Sequence, residues 1–124
     1  MRLELTFRPD RSAPATARDA VTQRLAERVS ADLLADLRLV VTELVTNAVK
    51  YGPGRPVRLR LTVESPTSVR GEVVDDGDAT PELRMVAAPG EAGGFGLHLV
   101  DRLASRWGVY EGSTHVWFEL AEGR

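Results

Sequence analysis

The stretch between Ser30 and the run Tyr51-Gly52-Pro53-Gly54 constrains this fold more tightly than any other part of the chain. Placed on a helix at about 100° per residue, Leu33, Leu37, Val40 and Leu44 fall within about 60° of one another. They mark a buried stripe. Ser30 is the residue type that caps a helix N-terminus, and the glycines and proline after Tyr51 end it. The spacing therefore predicts a helix from Ala31 to about Lys50. Asn47 lands about 20° beyond Val40, on the core-facing side, with Asp36, Glu43 and Lys50 progressively further round. Glu43 and Asn47 stand one turn apart, at i and i+4.

A buried amide without a partner costs on the order of 1–3 kcal/mol, and an unpaired carboxylate costs more. Two arrangements would satisfy this edge. In one, Asn47 is hydrogen-bonded to a neighbouring strand and Glu43 sits at the solvent boundary. In the other, Asn47 supplies an oxygen to a hydrated divalent cation beside phosphates, and Glu43 serves as a base. Mg²⁺ takes oxygen donors and shares its shell with water and phosphate.

Around this helix the pattern alternates. Leu3, Leu5 and Phe7 have the period of a half-buried strand, and Ser12 is the expected cap of a first helix from Ala15 to Val29. Val57, Leu59, Leu61 and Val63 form a second strand. Glu64-Ser65-Pro66-Thr67 turns the chain into a third strand carrying Val69, Gly71 and Val73. Asp75 to Gly94 has no period and reads as a long loop. Gly96 to Ser105 has helical spacing, and Trp107-Gly108-Val109 and Val116-Trp117-Phe118-Glu119-Leu120 read as two closing strands. The order β-α-α-β-β-loop-α-β-β implies an α+β fold. The expected architecture is a two-layer sandwich with a mixed, mostly antiparallel sheet and three helices on one face. With 124 residues and no repeat, residues 1–124 are expected to make a single domain.

Composition narrows the chemistry. There is no cysteine, which excludes disulfides, thiolate metal sites and cysteine nucleophiles and suits a reducing cytoplasmic location. A net charge of −2 offers no broad cationic field for nucleic acid or anionic lipid. Neither a signal-peptide core nor a span of roughly 20 apolar residues is present, so no membrane association is expected. His98 and His115, the two histidines, lack any partner series and read as structural. Arg58 and Arg60 read as solubilising residues. Lys50 is the only lysine.

Two loops carry further candidates. Asp75-Asp76-Gly77 follows the third strand. A carboxylate there can accept a hydrogen bond from an exocyclic amine, and Gly77 admits a close ligand approach; a plain acidic turn is the alternative. Gly90-Glu91-Ala92-Gly93-Gly94-Phe95-Gly96-Leu97 opens a helix, where exposed N–H groups meet the positive end of the dipole. That turn reads equally as a phosphate cradle or a flexible lid. It is neither a dinucleotide fingerprint nor a Walker loop.

Taken in order, these pieces resemble the GHKL (Bergerat-fold) ATPase superfamily. Glu43-Leu44-Val45-Thr46-Asn47-Ala48-Val49-Lys50-Tyr51-Gly52 is similar to its N-box, Asp75-x-Gly77 to its first glycine box and Gly94-x-Gly96-Leu97 to its second. Gly112-Ser113-Thr114 before the last strand resembles its final box. Thr42 to Ala48, Gly94 to Val100 and Trp107-Gly108-Val109 most resemble the stand-alone anti-sigma-factor serine kinases. The resemblance implies the Bergerat ATP-binding fold, with ATP and Mg²⁺ as cofactors. It makes Asn47 the Mg²⁺ ligand, Asp75 the reader of the adenine amine and Glu43 the catalytic base. It places Gly77, Gly94, Gly96 and Leu97 along the nucleotide, Thr114 on the adenine side and Lys50 near a phosphate. The implied activity is transfer of the γ-phosphate to an antagonist protein, with a sigma factor as second partner and a homodimer as assembly; a non-catalytic nucleotide-sensing module is the alternative. The chain departs from the pattern at Ala79, where the first glycine box has its second glycine. An alanine there would strain a loop that needed positive φ and weaken nucleotide binding.

Overall fold

A computed structural model describes residues 1–52, 54–75, 97–109 and 115–122. The described elements are β1 (Arg2–Phe7), α1 (Ala13–Leu25), α2 (Ala31–Tyr51), β2 (Val57–Ser65), β3 (Ser68–Val74), α3 (Leu97–Leu103), β4 (Arg106–Val109) and β5 (Val116–Ala121). Their order is the expected one. The strands form one sheet in the order β1-β2-β3-β5-β4, and each of the four pairings is antiparallel.

The two long helices begin differently from one another. Ser30 has extended backbone and its Oγ accepts a hydrogen bond from the Leu33 N–H at 3.2 Å, so it caps α2 as its residue type predicts. Ser12, by contrast, makes no side-chain cap. Its backbone is already helical, and its N–H donates at 2.9 Å to the Asp10 carboxylate, which also receives the Ser12 hydroxyl. That arrangement lets α1 start at Ala13 with Pro14 in its first turn, where a missing N–H costs nothing. α1 ends at Leu25, and Val29 is buried beyond it rather than within it.

One side of the sheet is apolar. Leu3, Phe7, Val57, Leu59, Leu61, Val69, Val73, Phe118 and Leu120 all point inward and are buried. α2 covers β2, β3 and β5, α1 covers β1 and α2, and α3 packs between α2 and β4, so all three helices share that side. Gly71 belongs to the inward row. Its bare Cα is occupied by the Phe118 ring and by Leu61 Cδ2, which would stand 2.7 Å from an added Cβ. The strand gives up a side chain so that the aromatic ring can fill the centre of the core.

At one end of the sandwich the layers are tied by polar groups. The Ser30 N–H donates to the Pro66 carbonyl at 2.8 Å, the Ser30 hydroxyl to Glu122 at 2.9 Å, and the Glu122 N–H to the Thr67 carbonyl at 2.8 Å. The start of α2 is thereby anchored, and its C-terminal half is presented at the opposite end.

The other side of the sheet is uncovered by any described element and is polar. Register places Glu4, Arg60, Glu72 and Trp117 in one row across four strands. Arg60 Nε donates to Glu4 at 2.6 Å and its Nη1 to Glu72 at 3.1 Å, so Arg60 is a bridge between strands and not only a solubilising charge. His115 Nε2 lies 2.7 Å from the other Glu72 oxygen. Burial pushes the Glu72 carboxyl up, but the hydrogen bonds from Arg60 and His115 together outweigh it and hold the group below its usual value of 4.5. A carboxyl with a lowered folded pKa contributes stability that is present above the unfolded pKa and lost as pH falls through the folded one. Thermal melts from pH 7 to pH 3 should therefore show a shallower loss of Tm below about pH 4.5 for Glu72→Gln than for wild type.

Candidate functional site

The polar margin of α2 lies where the sequence predicts. Leu33, Leu37, Val40, Val41, Leu44 and Val45 are buried, Glu43 and Asn47 are half-buried beside them, and Lys50 is exposed at the rim. The Asn47 Nδ2 is shut off from solvent and has no hydrogen-bond partner among the described residues. Of the two arrangements open to this edge, hydrogen bonding of Asn47 to a neighbouring strand is the one the structure lacks. An unpaired buried amide costs about 1–3 kcal/mol, which folding alone does not recover.

β3 delivers the second polar group. Val73 faces the core and Val74 the open side, so Asp75 turns inward again at the end of the strand. It is the single charged residue in the buried set among the described residues, at 3% exposed. Its carboxylate lies over Gly52, the residue that closes α2. A Cβ on Gly52 would stand 2.7 Å from Asp75 Oδ2 and would also strike the Ala48 carbonyl, which the Gly52 N–H uses as its helical acceptor at 3.0 Å. The glycine thus lets a carboxylate settle against the last turn of α2. Sequence reasoning saw Gly52 as a helix stop and part of a box, and its contact with Asp75 had no local signal.

Gly52→Ala is accordingly expected to push the Asp75 carboxylate or the end of α2 aside. Crowding of this kind costs about 1–3 kcal/mol of stability. Chemical denaturation of the variant beside wild type checks this.

The third side comes from α3. Leu97, its first residue, is buried, and α3 packs against α2. Trp107 Nε1 donates to Asp101 at 2.9 Å and fastens α3 to β4. Asn47, Asp75 and Leu97 are therefore brought around the C-terminal half of α2, with Glu43 one turn earlier. Gly77, Gly94, Gly96, Thr114 and Ala79 lie outside the described residues. His98 is exposed, whereas His115 has the Glu72 partner that its sequence neighbourhood did not reveal.

The donor set fits a hydrated cation and a nucleotide. Among the described residues no three His, Cys, Asp or Glu side chains cluster as a metal cage. A cation held here would rely on Asn47 together with water and phosphate oxygens, which is how Mg²⁺ is commonly bound. No helix of the described residues is long and apolar enough to cross a membrane.

Comparison with known proteins bears on the family and the fold. The sequence pattern of the histidine kinase-like ATPase domain matches residues 6–120, from the end of β1 through β5. No curated protein matches the sequence. Among solved structures, the crystal structure of the RsbU and RsbW domains of a Mycobacterium tuberculosis protein is similar, with a TM-score of 0.70 and 22% identity. The likeness covers 97% of this chain and 31% of that one, so the chain spans under a third of the length of that structure's chain. At such identity the shared property is the fold. A family pattern that contains six of the eight described elements whole and reaches into β1 and β5 goes further: the chain belongs to the histidine kinase-like ATPase domain family.

Proposed function

We propose that the chain is an ATP-binding regulator of the anti-sigma-factor kinase type, which moves the γ-phosphate of ATP to a serine or threonine hydroxyl of an antagonist protein. The observation that carries this reading is the buried Asn47 amide without a partner, set on the same helix end as the buried Asp75 carboxylate. The family is one of ATPase domains, and the similar structure contains an RsbW domain.

When bound, Mg²⁺-ATP supplies the transferable phosphoryl group and the positive charge that offsets it. The residues of the chain position it. Asn47 would give its side-chain oxygen to the cation while its Nδ2, the donor left without a partner, would meet a phosphate or water oxygen, and Asp75 would accept from the exocyclic amine of adenine. Lys50, at the exposed rim, is the one described lysine near the phosphate end. Glu43 receives the proton of the incoming hydroxyl as its oxygen bonds to phosphorus and the bond to the departing ADP oxygen breaks. Such chemistry asks a protein mostly for positioning and charge neutralisation.

The test is incubation of the full chain with γ-labelled ATP, Mg²⁺ and a candidate antagonist protein. The expected product is acid-stable label on a serine or threonine of the antagonist. Saturable ATP binding with no transfer to any antagonist would replace this reading by a second one, a nucleotide-sensing module that holds a partner without catalysis. Ala79, in place of a glycine in the first glycine box, is the feature that favours the second reading.

A further inference from the structure

We propose that Glu72 and His115, on the uncovered face of the sheet, are positioning residues for the adenine side of the nucleotide site, an assignment that rests on the ATP-binding reading above. Neither residue touches the buried face. Each instead stands close in sequence to a residue read as an adenine contact. Glu72 precedes Asp75 by three residues on β3, and His115 directly follows Thr114 at the entry to β5.

The pair stands at the end of the described pairing between those strands. The described β3–β5 ladder ends at Val73 opposite Val116. Asp75 lies two residues beyond that end on one strand, and His115 one residue beyond it on the other. There the 2.7 Å contact from His115 Nε2 to Glu72 Oε2 spans the two strands. A side-chain bridge at the end of a ladder limits how far the strands splay, and the splay of β3 from β5 sets where the Asp75 carboxylate points.

The bridge is also braced from behind. Arg60 holds the other Glu72 oxygen at 3.1 Å, and Glu4 holds Arg60 at 2.6 Å, so the carboxylate that meets His115 is fixed through β2 and β1. Both partners are largely covered, with His115 20% and Glu72 23% exposed, which shields their contact from water more than an ordinary surface pair. The row thus joins side chains of three strands to the residue that leads into β5.

The two strands flank the base end of the nucleotide in this reading, so loosening them should blur base recognition before it unfolds the protein. The experiment compares wild type, His115→Ala, His115→Gln, Glu72→Gln and the double variant His115→Ala/Glu72→Gln, each titrated calorimetrically with ATP and with GTP, alongside thermal melts. Hydrogen bonds to a charged group are worth enough for His115→Ala to weaken ATP binding about tenfold. The preference for ATP over GTP should shrink by a similar factor. His115→Gln, whose amide can still donate to Glu72, should recover affinity to within about threefold of wild type. The double variant should lose no more selectivity than His115→Ala alone, because both changes remove one contact.

A merely structural role predicts lowered melting temperatures with the ATP-to-GTP ratio unchanged in every variant that folds, and that result overturns the proposal while leaving ATP binding intact. Should His115→Ala not fold, the same ratio read in Glu72→Gln decides. Absence of ATP binding by wild type would instead remove the nucleotide reading, and this one with it.

Discussion

Glu43→Gln is expected to lower phosphate transfer by about two to four orders of magnitude, the usual worth of a positioned general base. ATP affinity should stay within about threefold of wild type. Glutamine keeps the size and polarity of the side chain but cannot take a proton. Glu43 is half-buried one turn before Asn47 on α2, so the substitution leaves the buried stripe of Leu37, Val40 and Leu44 untouched. Single-turnover transfer of label from ATP to the antagonist, read beside an ATP titration, separates the two quantities. Equal rates for Glu43→Gln and wild type would remove Glu43 as the base. A parallel loss of binding and transfer would make it a binding residue instead.

Asp75→Asn is expected to weaken ATP by about ten- to a hundredfold, since hydrogen bonds to a charged acceptor contribute about 1.5–3 kcal/mol. The substitution is nearly isosteric, so the contact with Gly52 persists. It nonetheless converts an acceptor at a 3% exposed position into a group that also donates, and a donor facing the adenine amine repels it. The loss should be the same for ATP and ADP, because both carry the same base. A deficit confined to ATP would place Asp75 at the phosphates and contradict its role here.

The parts of this fold that are legible in the sequence are those governed by local periodicity. The wheel of α2 put Asn47 on the inner flank and Lys50 at the outer limit, and their burial follows that order. Ser30 caps α2 as its residue type predicts. Capping at α1 was less legible, because the Asp10 carboxylate takes both the N–H and the hydroxyl of Ser12 and so draws the would-be cap away from the helix. Asp75 was readable as a site candidate from its place after a strand. Its burial against Gly52 was not, because that contact depends on how β3 meets the end of α2 in space. The pairing of His115 with Glu72 spans 43 residues and arises from strand order, with β5 inserted beside β3 and β4 outside it. No window along the chain contains both partners. Arg60 illustrates the same point: alternation places it on the polar face, but only the register shows that it joins three strands.

Calorimetric titration of wild type and Asn47→Leu with ATP, with and without Mg²⁺, tests the central claim most directly. The account predicts saturable binding by wild type that weakens when Mg²⁺ is withheld, and binding by Asn47→Leu that is much weaker and indifferent to Mg²⁺. Removing a buried amide with no partner should at the same time raise the melting temperature of the nucleotide-free variant by several degrees, the trade expected of a group kept for a ligand. Unchanged, Mg²⁺-sensitive ATP binding by Asn47→Leu, or no binding by wild type, would contradict it.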